Sequence, residues 1–156
     1  MNTPVVDYAQ LLRDALTQAK AGGPQVAEEL RRCASRAAEA IANVTDGAAA
    51  LDLIPLSRPD GAALAFQLLL RRVGHDGPSS DLGVYQLSEA GYPIQRWFSR
   101  GSWESSPTQP EQLSETNSDL EGHFHWMVSN PSSRLVVLVA FIMQQVHEDH
   151  GATKSS

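Results

Sequence analysis

The stretch Leu82–Ser99, LGVYQLSEAGYPIQRWFS, decides the fold class of this chain. Two runs rich in β-branched and aromatic residues flank Glu89-Ala90-Gly91, the pattern of a β-hairpin with a short glycine-containing loop. A two-residue mirror-image turn would need positive φ at both Ala90 and Gly91, which alanine resists. The sequence therefore predicts a three-residue loop with only Gly91 in the left-handed region. That loop sets Ser88 opposite Tyr92, Gln86 opposite Ile94 and Val84 opposite Arg96. Leu82, Val84, Ile94 and Phe98 then share one face, and Tyr85, Leu87 and Trp97 the other. A lone hairpin is marginal in water, so this one requires partners elsewhere in the chain.

A second hairpin is written in Leu51–Val73, where Pro59-Asp60-Gly61 separates two apolar runs. Proline pre-sets φ and glycine supplies a left-handed residue, so a three-residue loop again fits. With Arg58 opposite Ala62, the residues Ile54, Leu56, Leu64, Phe66 and Leu68 fall on one face. That consistency favours a strand over a buried helix for Ala63–Arg72. Four strands with short connections make an antiparallel meander.

Helical periodicity brackets the meander. Thr3-Pro4 reads as an N-cap and first helical residue. Val5, Tyr8, Leu12, Ala15 and Ala19 then recur at intervals of three and four. Gly22-Gly23 predicts a break and Pro24 a restart, with Val26, Leu30, Cys33, Ala37, Ile41 and Val44 on one face, so a helical hairpin is expected. Asp46-Gly47 closes it. The Ala-rich run Ala34–Ala42 suits close packing within the chain or a homodimer seam. Residues 100–117 lack periodicity and read as one long polar loop. Ser118-Asp119-Leu120-Glu121 fits a capping box for a helix that buries Leu120, Phe124, Met127 and Val128. Asn130-Pro131 ends that helix and can start the next. Leu135–Met143 is apolar all round and predicts a buried element, a helix in preference to a central strand. The reading is a single α+β domain over residues 1–150: a helical hairpin, a four-stranded antiparallel meander and C-terminal helices packed on the sheet. Residues 151–156 form a frayed tail.

Charge narrows the function. Twelve Lys and Arg stand against eighteen Asp and Glu, a net charge of −6. Nucleic-acid affinity is mostly phosphate neutralisation, and no Lys/Arg stripe supplies it. The longest apolar run is too short to span a bilayer, and the N-terminus does not read as a signal peptide. Cys33, the single cysteine, falls on a helical apolar stripe and reads as a small buried hydrophobe. A cytoplasmic protein, bacterial by its Ala-, Gly- and Arg-leaning composition, is expected.

No catalytic signature stands out. His123 and His125 are two apart, and on a helix they point about 200° from each other, so they cannot share an ion. His147-Glu148-Asp149-His150 lacks the spacing of a zinc-protease helix. No metal and no cofactor are expected. Asp119 with His123, and Glu121 with His125, sit at helical i,i+4 spacing and supply the competing reading, a small acid–base enzyme. The favoured reading is a non-enzymatic accessory protein, such as an adaptor, dedicated chaperone, inhibitor or subunit of a larger assembly, that binds another protein. Its expected contact is Arg96, Trp97, Arg100 and Trp103, residue types enriched at binding hot spots and gathered where a strand runs into the long loop.

Overall fold

The computed structural model describes residues 5–56, 64–105 and 109–154. A long helix α1 (Tyr8–Val44) precedes strands β1 (Ala49–Leu56), β2 (Ala65–Arg72), β3 (Ser80–Ser88) and β4 (Gly91–Trp97). A short helix α2 (Arg100–Glu104), strand β5 (Gln112–Ser114) and helices α3 (Asn117–Ser129) and α4 (Arg134–Lys154) follow. The strands form one antiparallel sheet in chain order. The α+β class stands, with five strands instead of four, and both 65–72 and 135–146 take the forms expected of them. Helix α4 runs on through Gly151 to Lys154, past the point where a frayed tail was expected.

The expected helical hairpin does not form, because α1 continues through Gly22, Gly23 and Pro24. A Cβ on Gly22 would sit 2.6 Å from the carbonyl oxygen of Ala90, and one on Gly23 2.9 Å from that of Glu89. The two glycines are where the helix backbone lies against the β3–β4 turn. They mark a close approach, not a helix end. From that point the stripe Val26, Leu30, Cys33, Ala37 and Ile41 is buried against the sheet. Asp7 caps the start through Gln10 N, and Gly47 N donates to the Ala42 carbonyl at 2.8 Å to close the end.

Both hairpins are one residue out of the expected register. On β3–β4 the pairs are Leu87 with Ile94, Tyr85 with Arg96 and Val84 with Trp97, while Ser88 pairs with Gly91. Tyr92 and Pro93 are the extra residues at that shift. Proline has no N–H for the ladder, so the irregularity falls there. Gly91 takes positive φ (98°) as expected, although the turn itself has only Glu89 and Ala90 between paired residues. A one-residue slip moves a strand's side chains to the opposite face. Ile94 therefore joins Tyr85 and Leu87 in the main core, and Trp97 joins Val84 beneath. A second shift between Leu68 and Leu69 leaves Leu82 unpaired, and it turns toward Tyr85 instead of Val84. Phe98 lies beyond β4, 53% exposed, with the Arg134 guanidinium 4.9 Å from its ring.

On β1–β2 the facing pairs are Leu51 with Leu70 and Leu53 with Leu68. Leu51, Leu53, Phe66, Leu68 and Leu70 pack under the helices, whereas Ile54 is exposed. The turn residues Pro59-Asp60-Gly61, and the pairing of Arg58 with Ala62, lie outside the described residues.

The polar segment 100–117 is not one structureless loop. Ser99 Oγ accepts from Ser102 N and starts α2, and Asp81 Oδ2 accepts from Arg100 N at 2.7 Å. Residues 112–114 pair with β4 through backbone groups, which no side-chain pattern announces. Thr116, not Ser118, caps α3: its Oγ accepts from Asp119 N, and Asp119 Oδ2 accepts from Glu115 N. Ser133, not Asn130, caps α4 by accepting from Val136 N.

Gly91→Ala combines a positive φ with a Cβ 2.3 Å from Val26 Cγ2. It is expected to destabilise the fold by about 2–4 kcal/mol, read as a lowered urea midpoint. An unchanged midpoint would mean that the turn does not seat on α1 as described.

Candidate functional site

The four expected contact residues do not form one exposed patch. Trp97 and Trp103 are 6% and 5% exposed, in a second apolar cluster with Ala65, Val84 and Leu56 on the sheet face away from α1. Helix α2 places Trp103 there, and its indole N–H donates to Gln86 Oε1 at 2.7 Å. Trp103 thus anchors its segment to the sheet, and neither tryptophan offers the contact surface expected of it. Arg96 is largely buried. It donates to Glu111 Oε2 at 3.1 Å and to the Leu82 carbonyl at 3.3 Å, and its guanidinium lies 5.9 Å from the Tyr85 ring. Arg100 is exposed and pairs with Glu104 one turn along α2.

Each acid–base pair stays together, but the two pairs lie in different hollows, Asp119 and His123 in one of about 390 Å³ and Glu121 and His125 in another. His123 is buried, and its Nε2 is hydrogen-bonded to the Tyr85 hydroxyl at 2.7 Å. Burial, reinforced by the Arg96 charge, pushes the His123 pKa down from 6.5 to about 3, so the ring is neutral. Burial raises the Tyr85 phenol to about 12. His123 replaces Val128 on the buried stripe of α3, and Val128 is exposed. Asp119, expected to work with His123, is engaged in capping α3. His125 points away from His123, into a groove of about 600 Å³ between α1 and α3 that Glu121, Cys33 and Arg36 also line. The Cys33 thiol is buried and its pKa is raised, chiefly by desolvation, so it stays protonated at neutral pH. Among the described residues, no three His, Cys, Asp or Glu side chains could hold a metal ion.

A different surface emerges along the C-terminal half of α1. The α1–α3 groove shares Ala40 and Val128 with a second hollow of about 310 Å³, walled by Ile41 and Val44 of α1 and Leu135, Val139 and Met143 of α4. The two make one trough, polar at its Arg36–Glu121 end and apolar at its α4 end. Val44, Val128 and Met143 are 66%, 44% and 41% exposed there, while Val137 and Phe141 are exposed on another side of α4. Helix α4 was expected to be buried all round. It is buried on one side only, at Leu135 and Ile142. Asn117–Gly151 contains a window apolar enough by composition to cross a membrane. The turn between Ser129 and Arg134 divides that stretch into α3 and α4. Sequence reasoning missed the trough because the apolar side chains that form it look like ordinary core.

No protein-family model, curated protein or solved structure matches this chain.

Two measurements follow from these positions. Trp103→Ala is expected to lower stability by about 3 kcal/mol or more, as for other buried aromatics. A change within about 0.5 kcal/mol, typical of a surface site, would return Trp103 to the list of contacts.

His123 gives a pH dependence whose sign is fixed by its lowered pKa. Below pH 6.5 the unfolded chain binds a proton that the native state excludes until about pH 3. Stability is therefore full above 6.5 and falls as pH drops through that window, by up to about 1.4 kcal/mol per unit. Between pH 7 and 5 the wild type is expected to lose roughly 2 kcal/mol more than His123→Gln. Equal losses would show that the imidazole is not held neutral.

Proposed function

We propose that this chain is a small cytoplasmic accessory protein without catalytic activity of its own, and that it binds another protein through the trough between α1, α3 and α4. The supporting observation is the row of exposed apolar side chains, Val44, Val128 and Met143, that line a continuous concave surface. Isolated surface hydrophobes need no explanation, but several gathered along one groove mark an interaction site. An amphipathic helix is the partner element this shape suits, with its apolar face on the α4 end and its polar flank toward Arg36 and Glu121. The net charge of −6 and the absence of a Lys/Arg stripe disfavour nucleic acid as the partner.

The competing enzyme reading has less to support it. It needs Asp119 with His123 or Glu121 with His125, and each pair lines one hollow. Asp119, however, is held by the cap of α3, His123 is enclosed against Tyr85, and His125 with Glu121 sits in an open groove. General acid–base work needs both groups within reach of one reacting atom.

A photo-crosslinking residue at Met143 is expected to trap one partner protein in native cells, and the same residue at Arg100 is not. Once the partner is known, Val128→Glu with Met143→Glu should weaken binding about thirtyfold, with stability unchanged within about 0.5 kcal/mol. Capture at Arg100 instead of Met143 would overturn the assignment.

A further inference from the structure

The apolar stripe of α1 is longer than the surface that covers it. Residues 8, 12, 15, 19, 26, 30, 33, 37 and 41 follow one line along the helix at helical spacing. Among the described residues, the β3–β4 turn seats on α1 at Gly22 and Gly23, and the residues before it up to Thr17 are exposed. Tyr8 lies fourteen residues before Gly22, so α1 extends about 21 Å past that seat as an arm. On the arm Val5, Tyr8, Leu11, Leu12 and Leu16 are 93%, 78%, 53%, 61% and 51% exposed. Gln10, Arg13, Asp14 and Thr17 occupy the opposite face, where Gln10 donates to Asp14 and the Thr17 hydroxyl to the Arg13 carbonyl. The arm is therefore amphipathic on the same line that is core in the rest of the helix, and among the described residues its apolar side chains stay exposed.

We infer that two copies of this chain pair through these arms, antiparallel about a twofold axis at Leu12. A twofold interface needs a patch complementary to itself. Reversal about Leu12 sets Leu12 on Leu12 and Tyr8 on Leu16, large against large. Charge permits it. Asp7 and Asp14 balance Arg13 and Lys20, so the arm is neutral on a chain of net charge −6, and the pairing joins the two copies where they repel least.

Area permits it too. The arm's exposed Tyr8, Leu11, Leu12 and Leu16, with Val5 just before the helix, offer roughly 600 Å² of mostly apolar surface per chain. Two arms would bury about 1,200 Å², the lower limit for a specific, stable interface. A membrane surface is the other occupant open to an amphipathic helix, but such helices carry many Lys and Arg on the polar face. This arm has two, matched by two carboxylates. The pairing uses residues apart from the α1–α3–α4 trough, so each stands or falls separately.

Sedimentation of the full chain between about 5 and 200 µM tests this. The mass is expected to rise toward twice the 16.9 kDa of one chain. Leu12→Glu should weaken association at least tenfold, and Met143→Glu should leave it unchanged. Cysteine placed at residue 12 should form an intermolecular disulfide with its own copy. A mixture of Tyr8→Cys and Leu16→Cys chains should cross-link to each other faster than to themselves, and cysteine at Thr17 should not cross-link. A wild type that stays monomeric at 200 µM would overturn the inference. So would a dimer that survives Leu12→Glu but is lost in Met143→Glu, or cross-linking of 8 to 8 and 16 to 16. Binding to phosphatidylglycerol–phosphatidylcholine vesicles that Leu12→Glu abolishes, with no dimer in solution, would assign the arm to a lipid surface instead.

Discussion

The contact between the middle of α1 and the β3–β4 turn sets the position of everything else. Gly22 and Gly23 on the helix and Gly91 on the sheet lack side chains at the three places where the two backbones come closest. Any Cβ there would hold the helix off the sheet, and a gap of even an ångström forfeits much of the dispersion energy across it. With the backbones in contact, Val26 and Leu30 reach the core and the Tyr92 hydroxyl donates to Glu29 at 2.7 Å. The rest of α1 then lies across the sheet toward β1, which it enters after Gly47. The same contact fixes how much of the helix stays exposed among the described residues.

The sheet is covered on both faces, but unequally. The face toward α1 carries the large core, closed at one side by α3, where Tyr85, His123 and Phe124 meet ring to ring. Burying a histidine there is tolerable because the hydroxyl of Tyr85 satisfies one nitrogen and desolvation keeps the ring uncharged. The opposite face has a small cluster built on Trp97 and Trp103. A five-residue helix would not persist alone in water. It is held by Trp103 beneath it, by the Ser99 cap and by Asp81. Tryptophan in a polar segment thus serves here as the anchor that lets the segment fold.

What remains for function is the surface that folding leaves unused. Helix α4 packs on α3 and over the end of β2 and start of β3, where Arg72 pairs with Asp149. Its outward side keeps Val137, Phe141 and Met143 in solvent. Of these only Met143 joins Val44 and Val128 on the trough that supports the binding proposal. The proposed dimer contact has a separate origin, in a helix longer than its sheet. Both surfaces are apolar helix faces left exposed among the described residues.

Composition and periodicity determined the class of this protein. Alternating apolar runs around Gly91 and around Pro59-Asp60-Gly61 specify hairpins, and three- and four-residue spacing specifies helices before and after them. These are local signals, carried by nearby residues through backbone sterics and the period of each element. Register was beyond them, because two loop geometries that differ by one residue fit the same turn sequence. The main-chain irregularities at Pro93 and Leu82 appear only when strands pair. So was the meaning of Gly22-Gly23, which reads as a stop locally and becomes a seat only when the turn 67 residues later lies against it. Trp103 and α4 show the same limit in opposite directions. One looked like a contact and is buried, while the other looked like core and is half exposed. An apolar side chain carries the same free-energy gain whichever neighbour covers it, so sequence records that it seeks cover and tertiary structure alone decides whether it finds any.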